Sequence, residues 1–233
     1  MREFVTFNLE APMGAFGGPA GVAYRPTAML PGRSHILGLV GAALGIRRED
    51  AGGLARLRTL RVTVGSLTEG RVMRDFHTAQ GVPDAAIRNP DSRRVALAHL
   101  RADDTTTISQ RDYVTDGSWV VAIEAGDMTR SIVDGLNFPV FIPFAGRKSC
   151  PLAAQMHPIA ITAADALCAL RQRLEHMSDT MPGRSLLHVA SDDAFPGDAG
   201  DCWEELERTD PEDRVLWHFQ QVRVHHINLQ VTE

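Results

Sequence analysis

The chain has 233 residues, 44% of them hydrophobic and 23% charged, a balance that suits a folded protein with a sizeable core. Its net charge of −5 hides an asymmetry, since residues 1–148 carry 18 Lys/Arg against 15 Asp/Glu and residues 149–233 carry 6 against 14. A polyanion site is therefore expected in the first part, while the absence of an apolar run of about 18 residues, of a signal peptide and of any CxxC pair argues against a membrane span, secretion, a zinc ribbon and a disulfide scaffold.

Val5, Phe7 and Leu9 alternate with polar residues, which predicts a half-buried strand over Phe4–Leu9. Residues 10–33 follow without periodicity and are rich in Gly and Pro. A connection of that length inside a domain is usually functional. Ser34 is the predicted N-cap of a helix ending near Gly45, with Ile36, Leu37, Val40 and Leu44 as its apolar stripe. Gly38, Gly41 and Gly45 form a small-residue stripe that predicts close packing on a sheet. A second strand is expected over Leu57–Val64. Residues 66–117 are polar and irregular and carry Arg71, Arg74, Arg88, Arg93, Arg94, Arg101 and Arg111, which predicts an inserted arm.

Ser118–Glu124 is nearly all apolar and reads as a central strand covered on both faces. Asp127 is expected to cap a short helix bearing Ile132, Val133 and Leu136. Another strand is expected over 155–161. The resulting order, βαβ, insertion, βαβ, is the split pattern of ferredoxin-like (RRM-like) folds. The predicted class is α+β: a palm over 1–161 interrupted by the arm, then a small C-terminal β/α extension over 162–233. In that extension Thr162–Asp165 reads as a capping-box start, and Leu186–Ala190 as a strand. Residues 191–213 read as an acidic solvated linker. Val215, Trp217 and Phe219, then Ile227, Leu229 and Val231, read as a closing strand pair.

Two stretches carry the chemistry. Arg25, Thr27, Arg33 and Ser34 lead into the first helix, and Gly146, Arg147, Lys148, Ser149 and Cys150 form a compact loop. Guanidinium groups and glycine-exposed amides on loops suit an RNA backbone. These nine residues are the expected RNA contacts. Phe76, His77, Arg111 and Tyr113 are placed at the root of the arm. His35 is read as a solvated side chain.

No catalytic residue, metal or cofactor is expected. His225 and His226 are adjacent on a predicted strand and must face opposite ways. Asp201, Glu204, Glu205 and Glu207 lack the spacing of a calcium loop. The rival reading is a metal-independent endoribonuclease with His77, Tyr113 and Lys148 as base, acid and cation. A free-standing RNA-binding module is less well supported, because no RRM-type aromatic consensus is present.

In order, Gly17-Gly18-Pro19, Arg25-Pro26-Thr27, Arg33-Ser34, Phe76-His77-Thr78, Arg111-Asp112-Tyr113 and Gly146–Leu152 resemble the CasD family, RAMP-group proteins of type I-E CRISPR surveillance complexes (Cascade). The similarity runs along most of residues 3–160. It implies a hand-shaped cytoplasmic protein of antiviral defence. Its palm would cap the 5′ handle of the guide RNA (crRNA). Its thumb would reach a CasC-like backbone subunit, and its palm a CasA-like large subunit. Target DNA would be met only through the assembled complex, and no membrane is involved. Phe16 stands where relatives often have Trp and would keep a stacking face. Lys148 stands where Arg is frequent.

Overall fold

The computed structural model describes residues 1–18, 20–21, 23–81, 91–99, 106–178, 182–196, 201–213 and 218–229, and the side chains of these apart from 208–213 and 218–219. Pro19, Arg88, Arg101, Val215, Trp217 and Val231 lie outside the described residues, as does the Phe219 side chain.

The first strand, β1, runs over Arg2–Gly14, five residues beyond its predicted end. The reason is its partner. Strand β5, Thr106–Glu124, is 19 residues long and pairs antiparallel with β1 from Phe4↔Glu124 to Gly14↔Val114. The expected central strand and the expected arm strand are thus one element. Its inner half pairs with β1 and with β3 (Arg61–Ser66). Its outer half pairs with β4 (Arg71–Gln80), from Arg71↔Thr115 to Gln80↔Thr106. The arm is therefore a long β-ribbon growing out of the palm's central strand. A five-residue helix, α3 (Arg93–Leu97), lies beyond it.

Strand β6 (Ile159–Ala163) pairs with β1, so the palm strands lie in the order β6-β1-β5-β3. Helix α1 (Arg33–Ala43) and α2 (Ala51–Arg58) link β1 to β3, and α4 (Thr129–Asn137) links β5 to β6. That order and these helical crossovers are those of a split βαβ unit. Three local expectations need correction. Helix α2 occupies the start of the predicted second strand, and Asp50 caps it by accepting from Gly53 N at 2.9 Å. Gly32, not Ser34, is the N-cap of α1. Asp127 caps nothing: a 3₁₀ turn, Gly126–Met128, runs into α4, and the Asp127 carboxylate pairs with Arg56. Helix α1 stops as predicted near Gly45, whose φ of +74° lets Ile46 N donate back to Gly41 O at 2.8 Å. The glycine stripe does not meet the sheet: Gly38 is exposed, and Gly41 faces Leu57 of α2.

Both sheet faces are covered. Val5, Phe7, Leu9, Val62, Val121 and Ile123 pack under α1, α2 and α4. Phe4, Val120 and Ala122 pack under α5 (Ala166–Met177) through Leu167 and Leu170. Asp165 caps α5, accepting from Cys168 N at 2.8 Å, whereas Thr162 lies within β6. The expected boundary at 161/162 falls inside that strand. The chain then widens the same sheet with β7 (His188–Ser191), β9 (His218–Asn228) and β8 (Asp201–Asp213), in that spatial order beyond β3. The acidic stretch read as a linker is thus largely strand β8. No described helix is long and apolar enough to cross a membrane.

Candidate nucleic-acid interface

Because α5 covers the face opposite α1, α2 and α4, the palm has no open sheet face on which bases can lie. The two loops singled out in the sequence meet just past the end of β1. Ala15 N donates to Ala145 O at 3.0 Å, Phe16 N to the Thr27 hydroxyl at 3.0 Å, and Ala28 N to Gly17 O at 2.8 Å. Within the second loop, Ala145 N donates to Cys150 O and Cys150 N to Arg147 O, both at 2.8 Å. Gly146 sits at φ +84° with its α-carbon against the Ala15 carbonyl, which any Cβ would overlap. Glycine is required there by the dihedral and by the close approach.

Several expected RNA contacts have other work in this arrangement. The Thr27 hydroxyl ties the two limbs of the first loop together. Cys150 is fully buried in the core. Ser34 is half-buried, whereas Lys148 and Ser149 are exposed. Arg33 needs correction: it is not on the surface. Its guanidinium pairs with Asp192 and donates at 2.6 Å to both Arg58 O and Leu60 O, leaving the Arg33 side chain 10% exposed. An arginine at the first position of a helix meets solvent unless a neighbour covers it. Here the end of α2 and the turn after β7 do so.

Another arginine takes its place. A two-residue strand, β2 (Tyr24–Arg25), runs parallel to β5 with Arg25 beside Arg111. Opposed residues share a face, and alternation puts Tyr113 on that face too. The Arg147 guanidinium lies over the Tyr113 ring at 4.8 Å, and its Nη1 is buried with no hydrogen-bond acceptor. Arg111 Nε is in the same condition, and Arg25 is exposed. Arg25, Arg111 and Arg147 therefore lie on one predominantly basic face at the base of the ribbon, next to Lys148, with Asp75 of β4 opposite Arg111 as its acidic member. Donors already desolvated and lacking acceptors favour an incoming anion.

A sequence model of the family described as CRISPR-associated protein (Cas_Cas5) matches residues 4–225. The chain belongs to the Cas5 family. The CRISPR system Cascade subunit CasD of Escherichia coli K12 is 32% identical over 172 residues, covering 68% of this chain and 70% of that protein. A chain of a CRISPR RNA-guided surveillance complex superposes with a TM-score of 0.67 at 21% identity, covering 98% of this chain and 90% of its own. A Cas protein crystal structure gives 0.61 at 18% identity, with 97% and 94% covered. These two likenesses show that the fold is shared.

The arm-root residues of this Cas5 chain are spread along the ribbon. Tyr113 lies near its base opposite Met73, but Phe76 and His77 lie midway, opposite Gln110 and Ser109. Phe76 is exposed on the other face. What stiffens the base is a set of contacts between Asp112, Arg74 and Tyr24 that the sequence did not signal. Buried Asp112 accepts from Tyr24 Oη at 2.6 Å and from Arg74 Nε at 2.8 Å, and Arg74 lies over the Tyr24 ring. The hydrogen bond from Arg74, then that from Tyr24, holds the Asp112 carboxyl below its usual range.

Phe16 offers no stacking face. It is buried, edge-on to Trp119 at 5.0 Å and to His35 at 5.5 Å, and Trp119 Nε1 donates to Met29 O. His35 is accordingly packed and not solvated. Burial pushes its imidazole down to about 4, and its Nδ1 has no partner. Between that value and about 6.5 the unfolded chain binds the proton and the folded one does not. This contribution to stability is complete above pH 6.5 and is lost as pH falls towards 4. We expect His35→Leu to remove about 1–3 kcal/mol of acid destabilisation over that window, read from urea midpoints at pH 7 and 4.5.

Proposed function

We propose that this Cas5 protein is a non-catalytic subunit of a Cascade-type CRISPR surveillance complex. It holds the 5′ handle of the crRNA on the face made by Arg25, Arg111, Arg147 and Lys148. The observation that carries this reading is the 32% identity to CasD over two-thirds of both chains. The stitched loops and their acceptor-less guanidinium nitrogens support it chemically. Co-expression with the neighbouring Cascade subunits and a CRISPR array tests it: the tagged chain brings down a short RNA of uniform 5′ end. Recovery of the complex without RNA, or of RNA with ragged ends, would count against a capping role.

The protein partners are a CasC-like backbone subunit and a CasA-like large subunit, with target DNA reached through the assembly. The surface supports such contacts. Phe138 and Ile142 are 85% and 86% exposed, with Val140 also exposed. Their loop is held rigidly, since Val140 N and Phe141 N donate to Ala43 O and Ala42 O at the end of α1. A fixed apolar loop in water marks a protein interface. Phe138→Ser with Ile142→Ser should leave the melting temperature within about 2 °C and reduce co-purification of a partner subunit at least tenfold. Unchanged assembly would remove this loop from the interface.

The nuclease alternative fits the geometry poorly. His77 and Tyr113 lie four register positions apart on the ribbon, about 13 Å along the strand. His77 is held by Asp75, and the Tyr113 ring is buried under Arg147. Base and acid are therefore not presented to a single phosphodiester. Incubation with the cognate repeat RNA in EDTA should leave the RNA intact. Cleavage that yields 2′,3′-cyclic phosphate ends and disappears in His77→Ala would reinstate the nuclease.

A further inference from the structure

On strand β8, Trp203, Glu205 and Glu207 share one face, and the register Trp203↔His226 places His226 of β9 on that face as well. The rings of His226, Trp203 and His188 form one cluster, with His226 5.1 Å from Trp203 and 5.2 Å from His188, and Trp203 5.4 Å from His188. Its Nδ1 is 3.1 Å from His188 Nε2. Its other nitrogen, Nε2, is buried and makes no hydrogen bond, although the residue is only 6% exposed. That nitrogen lies 3.8 Å from Glu207 Oε1, and one ligand atom from each of Glu205, Glu207 and His226 lies within 4.8 Å of the others.

We propose that His226, Glu205 and Glu207 form a binding site for a divalent first-row transition-metal ion of the zinc type. A buried imidazole nitrogen without a partner is costly, and 3.8 Å is too long for a hydrogen bond to Glu207. One cation settles both groups. His188 supplies the outer support that metal-bound histidines use, since its Nε2 can accept the Nδ1 proton of His226 and so hold the ligating tautomer. Trp203 Nε1 donates to Glu205 Oε1 at 2.9 Å, leaving the other oxygen for the ion. An imidazole with two carboxylates selects zinc-like ions over magnesium or calcium. Three ligands leave a fourth position for water or a partner's side chain. Glu205 is exposed and Glu207 half-buried, so the ion has an entry path and the donors can close by side-chain rotation. The site is separate from the basic face and does not rest on the RNA-binding reading.

The test is calorimetric titration of the chelator-treated full chain with zinc chloride, alongside melting temperatures with and without the ion. We expect one saturable equivalent and a raised melting temperature, with no comparable effect of magnesium chloride. Glu207→Gln, at a half-buried position, should weaken binding at least tenfold while the far-ultraviolet spectrum stays native, and His226→Gln should abolish it. Cys202→Ser and His225→Gln should leave binding intact. Absence of a saturable equivalent, equal affinity for magnesium, survival of binding in Glu207→Gln, or its loss in Cys202→Ser would each overturn the site.

Discussion

Asp192→Ala should destabilise the protein by about 3–5 kcal/mol, the range for removing one partner of a buried ion pair. Asp192 Oδ2 accepts from the Arg33 guanidinium and from Val62 N at 2.8 Å, and the two side chains are 12% and 10% exposed. Deleting the carboxylate strands a guanidinium between the end of α2 and the edge of β3, and strands the Val62 amide as well. A typical domain has only about 5–15 kcal/mol to lose, so this is a large share. The urea midpoint should fall with an unchanged slope. Arg33→Leu combined with Asp192→Leu should recover much of the loss, since no charge is then left unpaired. A loss under about 1 kcal/mol for Asp192→Ala would mean that the pair is hydrated and contributes little.

RNA binding should respond to a different set of arginines. If Arg25, Arg111, Arg147 and Lys148 each neutralise one phosphate, log K against log salt has a slope of about −3, at about −0.7 per contact for a single strand. The triple variant Arg25→Ala, Arg111→Ala, Arg147→Ala should flatten the slope to about −1. Affinity for handle RNA at moderate salt should fall by on the order of 100-fold. Arg33→Lys, in contrast, should change stability and leave the slope alone. A slope that is flat in Arg33→Lys and unchanged in the triple variant would reverse the assignment and return the site to the start of α1.

The contrast between Arg33 and Arg111 shows where sequence reading stopped. Both are arginines in motifs that resemble the CasD family, and nothing local distinguishes a guanidinium left without an acceptor from one paired with a carboxylate 159 residues away. Phe16 is a similar case: an aromatic on a glycine-rich loop reads as a stacking platform until Trp119 and His35 are found against it. The acidic stretch around Glu205 carries no strand period in hydrophobicity, because its pairing is decided by β9. The zinc-type donor set is equally non-local, joining a Glu-x-Glu pair to a histidine 19 residues beyond Glu207.

What the sequence determined by itself is what depends on neighbours in the chain. Alternation at Val5, Phe7 and Leu9, the apolar run at 118–124, the stop at Gly45 and the glycine of the 146–150 loop follow from backbone sterics and from the periods of helix and strand. The order of these elements was enough for a mixed α/β fold built on an antiparallel sheet. Tertiary structure alone decided which charges are spent inside the protein and which stay available. Only packing brings Asp192 to Arg33, lays Arg147 over Tyr113, sets Arg25 beside Arg111 and closes the second sheet face with α5. Desolvation depends on what covers a group in space, and residues far apart in the chain supply that cover.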